Sequence, residues 1–394
     1  LDNPGIYLAQ VPNEDIIGRR PIKKEQAWDY YGNNTGYLKI LLDYARPQHE
    51  PWSGSAECMG LKISFARRRT LPRTALASFP GSGNTWLRYL IQGATGLFTG
   101  SIYNDRQLAS KGFYGESDPV ECGCTIVVKT HGYTLGALPE TKEKRMKIMD
   151  KFYGRGILLL RNPYDTLIAF RNYQSGGHLG IASPLAFRGA HWSNFVHTQV
   201  KKWGAFATDW ITGSRNLHIV NFEEMQEDPK RELRKILQFL HLRPDGHRLQ
   251  CVLDNLNGAF RRKTPNNIYY RQNDPYTEEL HKAIEETIKK VNTVLHRHGR
   301  APLPSHLYGY HTESENTQKF NQNSITVSKH IFRTSEYLSS SGSGTLLSEL
   351  TARKATKTKN FRKSQNSVQK FVGIEKKKNI KNKAIKLYPW IKNR

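Results

Sequence analysis

The chain has 394 residues, with 60 Lys+Arg against 34 Asp+Glu, a formal charge of +26. With Gly counted in place of Tyr its apolar share is roughly 40%, below the ~45–50% usual for globular chains, so part of the sequence is not packed core. No stretch approaches the ~20 apolar residues of a bilayer span. Four cysteines exclude a dense disulfide scaffold, and Cys122-Gly-Cys124 lacks the second pair of a zinc ribbon.

Residues 1–65 are weakly patterned and read as a weakly structured N-terminal segment. They hold one sequon, Asn33-Asn34-Thr35, which matters only on a secretory route. The first residue is Leu1 rather than Met, as in a fragment or a processed form.

Residues 66–310 read as one domain. Short apolar runs at 74–79, 125–129, 156–160 and 217–222 are the expected strands. Helical patterns lie at 85–94, 139–152, 163–173, 194–212, 226–240 and 276–298. Apolar strands alternating with helices predict an α/β fold, a parallel sheet covered on both faces.

Residues 311–394 hold 18 Lys+Arg against 5 Asp+Glu, half of the net charge. Such a low-complexity, Lys-rich stretch buries too little surface to offset chain entropy, so a disordered basic tail is expected. Contact with nucleic acid or an anionic surface is its alternative role.

The chemistry-bearing residues fall at strand ends. Gly81, Ser82, Gly83, Asn84, Thr85 and Trp86 join the first strand to the first helix. Two glycines permit a tight turn, Ser82, Asn84 and Thr85 supply side-chain donors, and the helix N-terminus favours an anion. The Walker pattern fails because no Lys follows Gly83. The second strand ends in Lys129-Thr-His131, a cation and a titratable base two residues apart. The third ends in Arg161-Asn-Pro-Tyr-Asp165.

These residues resemble the sulfotransferase family that uses 3′-phosphoadenosine 5′-phosphosulfate (PAPS). Phe79-Pro-Gly-Ser-Gly-Asn-Thr-Trp86 is similar to its phosphosulfate loop Y-P-K-S-G-T-T-W, and Lys129-Thr-His131 to its K-x-H strand end. Arg161-Asn-Pro-Tyr-Asp165 resembles its R-N-P-x-D 3′-phosphate motif, residues 220–229 its Y-E-D-L…D-P stretch, and Phe260-Arg-Arg-Lys263 its late F-x-R-K. The wider sequence is similar to the WSC-domain-containing, sialate O-sulfotransferase-like sulfotransferases, a Golgi branch, without the cysteine-rich WSC module. Ala-Ser-Phe-Pro-Gly, Gly176-Gly-His-Leu-Gly180 and Asp274-Pro-Tyr-Thr277 carry that likeness.

The resemblance implies a sulfotransferase fold with a P-loop-like sheet, and sulfuryl transfer from PAPS to a hydroxyl of a glycan or glycoconjugate, sialic acid among the candidates. His131 would be the base, and Lys129 would stabilise the leaving oxygen. Gly81 to Trp86, Arg161, Arg261, Arg262 and Lys263 would hold the cofactor, with Trp86 on the adenine and no metal required. It further implies a Golgi membrane protein, anchored by a segment before Leu1, with this domain in the lumen and nucleic acid not a partner. Three positions depart from the pattern: Gly81 replaces the loop Lys, Ala169 the expected Ser, and Thr264 the Gly after F-x-R-K. Lys129 or Arg88 is the expected source of the missing charge, and Thr166 or Asn172 of the missing hydroxyl. A catalytically degraded binding protein, a P-loop kinase and a basic nucleic-acid binder are the alternative readings.

Overall fold

The computed structural model describes residues 36–258, 262, 270 and 273–308. Its centre is a five-stranded parallel sheet in the order β4-β5-β3-β6-β7, with β3 Ala75–Ser78, β4 Gly100–Ser101, β5 Val128–Thr130, β6 Arg155–Leu160 and β7 Asn216–Asn221. Successive side chains of a strand point to opposite faces, and the core divides accordingly. Ala75, Ala77, Leu158 and Leu160 pack on one side with Trp203, Trp210, Ile284 and Val291. Leu76, Ile157, Leu159 and Val220 pack on the other with Leu87, Ile91, Leu233 and Ile236. Both faces are buried, which is why β6 reads as the continuous run Gly-Ile-Leu-Leu-Leu.

The helices follow the expected pattern with shifted ends. They are α1 Asn84–Thr95, the short α2 Arg106–Ala109, α3 Lys142–Asp150, α4 Pro163–Gly176, α5 Gly189–Gly213, α6 Phe222–Glu227, α7 Pro229–Phe239, α8 Gly246–Asp254 and α9 Glu278–Arg297. The helix expected over 226–240 is two. Asp228 closes α6 through its N–H to Glu224 O at 2.9 Å, and its Oδ1 accepts the Arg231 N–H at 2.9 Å to start α7. Pro229 fits only a first helical turn, which fixes the break. The strand at 217–222 gives up Phe222 to α6.

From residue 36 the segment read as weakly structured is packed. β1 Leu42–Asp43 pairs antiparallel with β2 Phe65–Ala66. Trp52 is buried, and its Nε1 donates to Tyr89 Oη at 3.0 Å. A disulfide joins Cys58 to Cys251 on α8, 193 residues away. This contribution was illegible in the sequence because its apolar residues are isolated and bury against distant elements: Trp52 beside α1 and α8, and Ile63 and Phe65 with Phe98, Cys122 and Cys124. A second disulfide joins Cys122 to Cys124. The expected tail, 311–394, lies outside the described residues.

Candidate active site

All three motifs lie at the carboxyl edge of the sheet, where parallel α/β folds bind ligands. β3 leads into α1 through residues 79–83. Gly81 and Gly83 both have φ of +90°, which side chains disfavour. A Cβ at Gly81 would stand 2.5 Å from the Thr166 carbonyl oxygen, and one at Gly83 would strike the Phe222 ring. The loop therefore lies directly against α4 and α6, and the lysine of the family pattern has no room at 81. Gly81→Lys is expected to destabilise the fold by at least about 1–3 kcal/mol, from backbone strain alone. A lowered urea midpoint would show it; an unchanged midpoint would mean that the loop has another place to go.

Ser82 is buried and its Oγ has no hydrogen-bond partner. The first-turn N–H groups of α1, including those of Asn84 and Thr85, have no acceptor within the helix, the arrangement that an anion would satisfy. The Asn84 side chain departs from its expected role. Its Nδ2 donates to Leu76 O at 3.2 Å and Ser78 Oγ at 3.1 Å, bracing β3 instead of facing a ligand. Thr85 is half-buried. Trp86 Nε1 donates to Leu256 O at 2.7 Å, and its ring meets Phe222 edge-on at 5.3 Å. Trp86 thus anchors the chain just before the late basic cluster, and Phe222 offers a second ring beside it.

Arg161 Nη1 donates to Gly81 O at 2.9 Å, its guanidinium lies 4.3 Å over the Phe222 ring, and its buried Nε has no partner. Asn162 caps α4 through Oδ1, which accepts the Tyr164 N–H at 3.1 Å. The Asn162 N–H donates to Glu223 Oε1 at 2.8 Å, so Glu223 fixes the turn that aims Arg161. Of the late cluster, Arg261 and Lys263 lie outside the described residues. Arg262 is described: its Nη2 donates to His178 O at 3.2 Å, its buried Nε has no partner, and burial with the nearby Arg161 charge lowers its pKa. Three unpartnered donors, on Ser82, Arg161 and Arg262, are what a nucleotide with phosphate or sulfate groups would satisfy.

Neither substitute for the hydroxyl missing at Ala169 is exposed to the site. Thr166 Oγ1 lies 3.5 Å from Arg161 O, and Asn172 is occupied by the Ala182 N–H at 2.8 Å and Tyr270 Oη at 3.1 Å. Arg88 cannot supply the missing charge either. It is fully buried, donates to Thr99 Oγ1 at 2.8 Å, and forms an ion pair with the buried Glu116.

Lys129 and His131 flank this loop from β5, and both are largely buried, at 7% and 8% exposure. Burial, with the Arg88 charge, brings Lys129 down to about 8, leaving it mostly charged at neutral pH. Burial and the Lys129 charge hold His131 down to about 3, so the ring is neutral. Its Nδ1 lies 2.8 Å from the Ser78 carbonyl. A carbonyl only accepts, so Nδ1 carries the hydrogen and Nε2 keeps the lone pair.

The acid response follows from the buried histidines. His218 on β7 is held down to about 4, chiefly by burial. Between the ordinary value of 6.5 and about 4 the unfolded chain binds more protons than the folded one. The stability contributed by neutral His131 and His218 is therefore present above pH 6.5 and lost as pH falls toward about 4 and then 3. Urea midpoints should drop steadily from pH 7 to pH 4, and His218→Gln should flatten part of the slope. A level series would contradict the burial of both rings.

Among the described residues one group has metal-ligand spacing, Asp118 with Cys122 and Cys124. Its two sulfurs are joined, and a disulfide offers no thiolate.

The family description "Sulfotransferase domain" matches residues 125–292. With the parallel sheet and its edge motifs, that match defines a sulfotransferase-fold protein. The chain is 38% identical over 241 residues to WSCD family member CG9164 of Drosophila melanogaster, covering 60% of this chain and 70% of that one. It is 38% identical over 228 residues to WSCD family member AAEL009094 of Aedes aegypti, covering 57% of this chain and 66% of the relative. The chain belongs to the WSCD family. Its matched part spans about two thirds of the length of these relatives. Among solved structures it is similar to mouse sulfotransferase SULT7A1 complexed with PAP, at 18% identity and a TM-score of 0.36, covering 56% of this chain and 84% of that one. It is also similar to the sulfotransferase domain from the curacin biosynthetic pathway, at 12% identity and 0.31, covering 59% of this chain and 99% of that one.

Proposed function

We propose that this chain transfers a sulfuryl group from PAPS to a hydroxyl of a glycan or glycoconjugate. The observation that carries the reading is one edge of the sheet holding an anion loop with the unpartnered Ser82 Oγ, the unpartnered Arg161 Nε, and a neutral imidazole beside a buried lysine. Nε2 of His131 takes the acceptor proton as the oxygen–sulfur bond forms. The bond from sulfur to the phosphate oxygen breaks, and Lys129 with the N–H groups of Gly83, Asn84 and Thr85 stabilises the negative charge left there. Bringing the donor's negative charge beside His131 raises the affinity of its ring for the proton. Arg161 and Arg262 read the 3′-phosphate, Trp86 and Phe222 border the adenine, and no step needs a metal.

A kinase reading lacks the Walker lysine, since Asn84 rather than Lys follows Gly83. The test is calorimetry with adenosine 3′,5′-bisphosphate (PAP). A charge-assisted contact is worth about 1.5–3 kcal/mol, so Arg161→Ala should weaken PAP binding roughly 10- to 150-fold. PAP should also bind more tightly than ATP, and equal affinity would overturn the reading.

We further propose that the domain works in the Golgi lumen, tethered to the membrane by sequence outside this chain. The two disulfides fit an oxidising compartment. No helix among the described residues is long and apolar enough to cross a membrane. A tagged full-length protein found in the cytosol would contradict this placement.

A further inference from the structure

Two segments distant in sequence meet beside Lys129 and His131. One follows β4 and carries Tyr103 and Asp105; the other is the end of α4, with Tyr173 in its last turn and His178 just beyond it. His178 Nε2 lies 2.8 Å from Asp105 Oδ2. The Tyr173 ring meets the His178 ring edge-on, with centroids 5.4 Å apart. Tyr103 stacks on His131 at 5.4 Å, and its hydroxyl accepts the His131 backbone N–H at 2.7 Å. The Asp105 charge acts on both Lys129 and Tyr173, which places all of these groups in one neighbourhood.

The sheet order makes this wall distinct from the donor side. β5 lies between β3, which leads into the loop at 79–83, and β4, which leads into Tyr103 and Asp105. Tyr173 is exposed at 40%, while Tyr103, Asp105 and His178 are half-buried, with side-chain exposures of 23% for Asp105 and 12% for His178. A firm foundation holds it. The Asp105 N–H donates to Glu116 Oε2 at 3.0 Å, its Oδ1 caps α2, and Arg262 grips the carbonyl of His178.

We infer that Tyr103, Asp105, Tyr173 and His178 form the acceptor subsite, and that it is built for a saccharide. This rests on the sulfuryl-transfer reading. A sugar ring has an apolar C–H face, which packs on an aromatic ring, and equatorial hydroxyls, which pair with phenol, carboxylate and imidazole. A bare phenol or lipid acceptor would strip water from the Asp105–His178 pair and return no hydrogen bond. On this side of His131 a ring hydroxyl reaches Nε2 while its neighbours bind the wall.

The experiment uses the full chain, radiolabelled PAPS and four acceptor probes: sialyllactose, lactose, N-acetylglucosamine and p-nitrophenol. PAP affinity and melting temperature are measured on the same preparations. The wild type should label at least one saccharide. Tyr173→Ala and His178→Ala should each raise the KM for it roughly ten-fold or more, with PAP affinity held within two-fold. Tyr173→Phe and His178→Gln serve as milder variants if either alanine protein melts early. Unchanged saccharide KM in the folded variants would overturn the inference, and so would labelling of p-nitrophenol alone. If PAP binds and sugars are labelled while KM stays fixed, only the acceptor subsite falls. If PAP does not bind and nothing is labelled, the sulfuryl-transfer reading falls and takes the subsite with it.

Discussion

His131→Ala should lower kcat by about 10²- to 10⁴-fold, the usual contribution of a positioned general base, and leave PAP affinity within a few-fold. The ring is held neutral, with Nδ1 on the Ser78 carbonyl and the lone pair on Nε2. Nothing in that arrangement binds the nucleotide. Lys129→Ala should depress kcat too, because its attraction grows with the charge on the leaving oxygen. A histidine that only packed the strand end would act differently, since its removal would lower stability and spare the turnover of the folded fraction. Turnover per folded molecule, measured alongside thermal unfolding, separates the two. A folded His131→Ala protein with near-normal turnover would remove the base from the mechanism.

Glu116→Ala should cost about 3–5 kcal/mol of stability, the usual effect of stranding one member of a buried ion pair. Arg88 and Glu116 are both buried, and the carboxylate also accepts the Asp105 N–H. The variant strips the buried Arg88 guanidinium of its ion-pair partner, leaving only the weaker Asp105 charge, and loosens the loop bearing Tyr103 and Asp105. For a domain of this size that loss lowers the melting temperature by roughly 6–20 °C. Adding Arg88→Met should restore part of it, because the uncompensated charge is then gone. A Glu116→Ala protein that melts at the wild-type temperature would show that the pair contributes nothing.

The alternation of buried strands and helices from 74 to 298, and the three strand-end motifs, are legible in the residues alone. Those signals are local: runs such as Gly156-Ile-Leu-Leu-Leu160, glycines at tight turns, and a proline at the start of α4. Tertiary structure decided the rest. Gly81 lacks a side chain because Thr166 of α4 stands where one would go, and Asn84 turns inward because Leu76 and Ser78 lie beneath it. Arg88 is silenced by Glu116, 28 residues away, and Trp86 is taken by Leu256, 170 residues away. Asp105 and His178 meet across 73 residues. Parallel strands are joined by long crossovers, so neighbours at the carboxyl edge are set by strand order and register. Neither leaves a periodic trace in the residues that end up touching, and the wall beside His131 became visible only once β4 lay against β5.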